Sequence, residues 1–269
     1  LAEVHDMQPE EPGDTQKLTI LPAHRDIHLN NLSFQYEGPR SAYALKDVNF
    51  LIEENKTTSI VGLSGSGKTT LLKLILGLYQ PVNGEITIGD TLLSSLSIKT
   101  WRENVGAVMQ DGFIFPDTIA GNIAPGTEKV DVETMLNAVA AAQLRQFIES
   151  LPLGYNTKIG TNGHGLSEGQ KQRILLARVI YKNPSIVIFD EATNSLDAMT
   201  EKNIMNNLAN FFKGKTVVIV AHRLSTIRNA DKIVVLDKGT VVETGDHTSL
   251  MEACGTYYNI VLNQIESNA

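Results

Sequence analysis

Cysteine is almost missing: Cys254 stands alone in 269 residues. No disulfide can form within the chain, and such usage fits a reducing compartment. An excess of positive charge is missing too. Lys and Arg number 23 against 30 Asp and Glu, a net charge of −7, so the sequence lacks the basic footprint a nucleic-acid binder needs. No apolar run approaches the roughly 18 residues that cross a bilayer as a helix, and no signal-peptide pattern opens the chain. A soluble chain is expected. Leu1 in place of an initiator Met points to a segment of a longer protein. Hydrophobic residues make up 42%, enough to bury the core of one large domain or of a core with an inserted subdomain.

The strongest local signal is Gly62-Leu63-Ser64-Gly65-Ser66-Gly67-Lys68-Thr69-Thr70. The apolar run Ser59-Ile60-Val61 precedes it and the helix-like stretch 71–76 follows, which gives strand, glycine loop and helix with the spacing G-x-x-x-x-G-K-T. Glycines let successive N–H groups turn toward one concavity, and with the helix N-terminus they make an anion site. Lys68 supplies a charge for β- and γ-phosphates, and the Thr69 hydroxyl is a Mg²⁺ ligand type. A chance glycine turn before a core helix is the plain alternative, and the flanking strand and helix weigh against it. The motif predicts a nucleoside triphosphate site.

Around this loop the chain reads in order. Residues 1–24 carry acids, three prolines and no periodicity, as a linker does. Strand patterns run over 27–36 and 44–52, with a turn at 37–40. Tyr36, on the parity of Phe34, reads from spacing as a core tyrosine in preference to a stacking platform. Short strands are expected at 85–89 and 105–110, and a helix from Asp131 whose apolar spacing continues through Leu144, Phe147, Ile148 and Leu151. A second helix is expected over 171–181. Before it, Ser167 and Gln170 have the spacing of a capping box. Gly169 in that first turn weakens a helix, which a close approach of backbone to a ligand would explain. Residues 185–189 and 216–220 are continuous apolar runs, as buried parallel strands require. The first ends in Asp190-Glu191, a costly pair unless a cation or water meets it; beside a phosphate loop the cation is Mg²⁺. Asn194-Ser195-Leu196-Asp197 reads as a turn and about 200–212 as a helix. The second run ends in Ala221-His222-Arg223, at the same kind of strand end, where ligands gather in open α/β sheets. A hairpin at 233–243 and a closing helix through Tyr257 and Ile265 complete the chain.

The order of these pieces resembles the nucleotide-binding domain of an ATP-binding cassette (ABC) transporter, over about residues 27–264. LSEGQ placed ahead of Asp190-Glu191 is the discriminating element. The resemblance implies an α/β P-loop core with an antiparallel β flank (25–111 and 184–269) and an inserted helical subdomain (112–183). It also implies that Tyr36 stacks on adenine, which reverses the reading from spacing. Gln110 senses Mg²⁺ and the attacking water, Asp190 organises Mg²⁺ and Glu191 is the general base. His222 meets the γ-phosphate, and Asp197 faces a dimer partner. Ser167, Gly169 and Gln170 belong to the signature that reaches the ATP of a second copy. The stretches 117–123, 151–155, 221–226 and 255–258 resemble the exporter type. There the domain follows a membrane domain on one polypeptide, at the cytoplasmic side of the membrane, and residues 1–24 would be the connection. The implied activity is ATP hydrolysis driving export, with a peptide or small protein as cargo; a soluble ABC ATPase acting on nucleic acid or ribosomes is the alternative. Two departures stand out: Glu168 where the family has Gly, and Thr161-Asn162-Gly163-His164-Gly165 in place of its Thr-Glu-x-Gly pattern. Glu168 is expected to oppose closure on a partner's γ-phosphate.

Overall fold

The computed structural model describes residues 17–38, 40–161, 163–191, 197–221 and 224–267. His222, Asn162, residues 192–196 (with Asn194, Ser195 and Leu196 of the expected turn) and most of the leader lie outside them. Strands β1 (Ile27–Phe34) and β2 (Leu45–Ile52) come first, and β3 (Thr57–Val61) runs through the glycine loop into α1 (Lys68–Ile75). β4 (Asn83–Ile88), β5 (Thr91–Leu92), α2 (Ile98–Asn104) and β6 (Val105–Val108) follow. A helical stretch comes next: α3 (Ile119–Ile123), α4 (Val132–Ala141), α5 (Arg145–Glu149) and α6 (Glu168–Lys182). Then come β7 (Ile186–Asp190), α7 (Ala198–Phe211), β8 (Thr216–Val220) and α8 (Leu224–Ile227). The hairpin β9 (Lys232–Asp237) and β10 (Thr240–Gly245) leads to α9 (His247–Glu252) and α10 (Thr256–Ser267). No helix among the described residues is long and apolar enough to cross a membrane.

Two sheets form. The flank is antiparallel, ordered β2-β1-β4-β5. The core sheet is ordered β10-β9-β3-β8-β7-β6, parallel except for β10. The unbroken apolar runs of β7 and β8 have a direct cause, because both faces are covered. Ile186, Ile188, Val218 and Val220 pack with α1 and the flank. Val187, Phe189, Val217 and Ile219 pack with α4, α6 and α7. Such sheets collect ligands beyond the carboxyl ends of their strands. Here those ends carry Val61, Val220, Asp190 and Val108, side by side in one edge.

Several elements differ from the expectation. The helix from Asp131 stops at Ala141, because Gln143 is left-handed (φ +55°). The Gln143 amide donates to Ala140 at 3.1 Å and the Leu144 amide to Val139 at 2.9 Å, the paired bonds of a Schellman end. The closing helix through Tyr257 and Ile265 is found as expected, and the short α9 precedes it, set apart at the left-handed Cys254 (φ +51°). Helices α2, α3 and α8 were not anticipated. At the amino end, Leu18 pairs with Leu96, its amide donating to Ser95 at 2.9 Å.

Candidate active site

The loop between β3 and α1 leaves the sheet where its backbone can bend in no ordinary way. Gly62 has φ +157°, and a Cβ there would lie 2.2 Å from the Leu236 carbonyl oxygen. Gly67, the N-cap of α1, has φ +103°, and its Cβ would meet Ala44 and Leu45 at 2.8 Å. Side chains at either position are excluded both by space and by backbone. Lys68 is buried, and its Nζ donates to the Gly62 and Leu63 carbonyls at 2.8 and 2.9 Å. Burial lowers its pKa, while Glu191 and Asp190 hold it up. Ser66 is buried with a hydroxyl that has no partner.

Asp190 ends β7 fully buried, and neither carboxylate oxygen has a hydrogen-bond partner. Burial pushes its pKa up. The Thr69 hydroxyl, close by but outside regular hydrogen-bond geometry, draws it partly back, and the field of Lys68 helps. A buried carboxylate without a partner is costly unless a proton, water or a cation meets it. Glu191 follows, half-buried, with its amide donating to Val220 at 3.1 Å and φ at +52°. Left-handed backbone is unusual for Glu and gathers at functional positions. That signal is invisible in the sequence.

Some of these groups share one cavity, while Gly62, Ser66 and Asp190 are not on its wall. Tyr36, Ser64, Gly65, Gly67, Lys68, Thr69, Thr70, Gln110 and Glu191 line a space of about 330 Å³. Tyr36 is 53% exposed, which overturns the core reading from spacing: β1 ends at Phe34, so the strand parity no longer governs it. Gln110 sits in the turn after β6, exposed. A larger cleft of about 630 Å³ opens beside α7, lined by Thr57, Glu201, Met205, Ile219 and Asn229. It holds none of the phosphate-loop residues, so chemistry rather than size selects the smaller space.

The signature lies elsewhere. Ser167 caps α6, accepting from the Gln170 amide at 3.2 Å, while the Gln170 side chain accepts from the Ser167 amide at 2.9 Å. Glu168 opens the helix 3.6 Å from Lys171, so a cation accompanies its charge. Ser167, Gly169 and Gln170 do not line the cavity. Asp197 caps α7, accepting from the Thr200 amide at 2.9 Å, and these bonds hold its pKa below the usual range.

Comparison with known proteins agrees with this geometry. A family model described as ABC transporter matches residues 45–194, more than half of the chain. The ATP-dependent lipid A-core flippase of Saccharophagus degradans is 43% identical over 97% of this chain and 44% of its own length. The alpha-hemolysin translocation ATP-binding protein HlyB of Escherichia coli is 42% identical over 94% of this chain and 35% of its own. A bacterial Atm1-family ABC exporter solved with ATP bound superposes with a TM-score of 0.89 at 34% identity, over 97% of this chain and 46% of that one. The chain thus spans less than half the length of these relatives, and what it matches in them is their ATP-binding part. It belongs to the ABC transporter family, as an ATP-binding domain of the exporter type.

Proposed function

We propose that this chain hydrolyses ATP with Mg²⁺, and that two copies close head to tail around two nucleotides to drive export through an attached membrane domain. The observation that carries the reading is the shared edge of parallel strand ends, where a satisfied lysine and a strained glutamate border one cavity and an orphaned aspartate lies buried next to that glutamate. Thr69 and Asp190, with Gln110, are the residues that would hold Mg²⁺, which when bound supplies counter-charge to the β- and γ-phosphates. Loop amides and Lys68 stabilise the same oxygens. Gln110 and Glu191 orient a water; its oxygen attacks the γ-phosphorus, the bond to the β-phosphate oxygen breaks, ADP leaves with that electron pair, and Glu191 takes the proton. His222, outside the described residues, is assigned to the γ-phosphate by resemblance alone.

The separation of signature and cavity within one chain supports a composite site completed by a second copy, with Ser167, Gly169, Gln170 and Asp197 facing the partner's nucleotide. Toward the membrane domain the chain offers Phe113 and Phe115, exposed and edge-to-face at 5.5 Å, with the Arg178 guanidinium 4.9 Å from the Phe115 ring. We propose residues 1–24 as the connection to that domain, and the helical stretch 112–183 as a subdomain between core halves 25–111 and 184–269. For cargo we propose a peptide or small protein, as in relatives named for exotoxin, alpha-hemolysin and RTX toxin translocation. Phosphate release from Mg-ATP tests the chemistry. Glu191→Gln should cut turnover by about 100-fold or more with ATP affinity retained, and a variant turning over like the wild type would refute the general base.

A further inference from the structure

Tyr36 is tied to the phosphate loop by its hydroxyl, not only placed near it. Its ring is held edge-on by Phe34 and Tyr79, with centroids 5.0 and 5.6 Å away, and about half of its surface stays open. Its hydroxyl lies 2.8 Å from Thr70 Oγ1. Thr70 is buried in the first turn of α1, on the wall of the cavity that carries Lys68 and Thr69. A helical threonine commonly turns its hydroxyl to the carbonyl four residues back. Here that carbonyl, on Ser66, accepts from the Gly239 amide at 3.0 Å, and Thr70 turns to Tyr36.

Two hydroxyls that share one hydrogen bond leave one hydrogen to spend. If Thr70 donates to Tyr36, that hydrogen is on the phenol. If Tyr36 donates, it is on Thr70, inside the cavity. An anion in the cradle selects the second arrangement, and each bond in such a chain polarises the next. We propose that Tyr36 is a positioning residue for phosphate: its hydroxyl donates to Thr70 Oγ1 and so aims the Thr70 hydrogen at the bound polyphosphate. This rests on reading the cavity as the ATP site, and it is separate from any stacking of the ring on a base. One side chain would then serve both ends of the nucleotide, the ring face for the base and the hydroxyl for the phosphates.

The test uses inorganic tripolyphosphate, which has no base to stack, beside ATP, each titrated calorimetrically with Mg²⁺. Tyr36→Phe keeps the ring and removes the hydroxyl. It should weaken both ligands by about three- to tenfold, the worth of one hydrogen bond. In a Thr70→Val background the same change should cost nothing more, and Thr70→Ser should restore the sensitivity to Tyr36→Phe. Thermal unfolding of each variant checks the fold. Should Thr70→Val fail to fold, the half-exposed Tyr36→Phe variant still decides through its two ligands. Unchanged tripolyphosphate binding by Tyr36→Phe, loss confined to ATP, or effects of the two substitutions that multiply would overturn the proposal and leave the ATP-site reading standing. A wild-type chain that binds neither ligand would overturn both.

Discussion

Lys68 shows how one residue holds the site together before any nucleotide arrives. Its ammonium is buried, satisfied by two loop carbonyls, and balanced by the charges of Glu191 and Asp190. Lys68→Ala removes the direct counter-charge to phosphate, and it takes from buried Asp190 the cation whose field, among the described residues, favours its charged form. ATP affinity should fall by about 10- to 100-fold, the range for charge-assisted hydrogen bonds; a Mg-ATP titration showing wild-type affinity would remove the phosphate-loop assignment. Lys68, Thr69 and Asp190 were legible in the sequence because spacing alone specifies a glycine loop and a charged strand end. Tyr36 was not, because alternation holds only while a strand lasts and β1 stops at Phe34. The left-handed Glu191 was invisible for another reason: nothing in a glutamate announces its backbone angle.

At the scale of elements, the helix starts are carried by short polar side chains. Asp131, Asp197 and Asp246 cap α4, α7 and α9, accepting from the amides of Thr134, Thr200 and Ser249 at 2.7, 2.9 and 2.9 Å. Those backbone bonds, first among the causes, lower all three pKa values. A depressed folded-state value means that the folded chain favours the charged carboxylate. The stabilisation is therefore full above the ordinary value of 3.8 and is lost as pH falls through the lowered ones. Melting temperature should drop on acidification below about pH 4. The triple variant Asp131→Asn, Asp197→Asn, Asp246→Asn should flatten that limb, since Asn caps without titrating. Identical acid limbs would show that the caps contribute nothing to it. The capping box at Ser167 was readable in advance, because the S-x-x-Q spacing is its own geometry. The end of α4 was not: a Schellman turn usually announces itself with Gly or Asn, and here Gln143 takes the left-handed position.

For the molecule as a whole, the parallel core follows from two apolar runs without alternation, each feeding two cores at once. The antiparallel flank comes from strands that alternate only in part, with β1 and β2 slipping register at bulges. What the chain by itself cannot supply is contact between its cavity and its signature, which sit on different elements and do not meet. A second copy placed head to tail would bring the signature of one chain to the nucleotide of the other. On the proposed function, ATP and not ADP should hold two chains together, and hydrolysis at Glu191 should release them. Light scattering of Glu191→Gln answers it most directly. With Mg-ATP the mass should rise to about twice the 29.4 kDa of one chain, as closure buries nucleotide between protomers, and with Mg-ADP it should stay at one. A single-chain mass in ATP across a protein-concentration series, from a variant shown by titration to hold the nucleotide, would contradict the account.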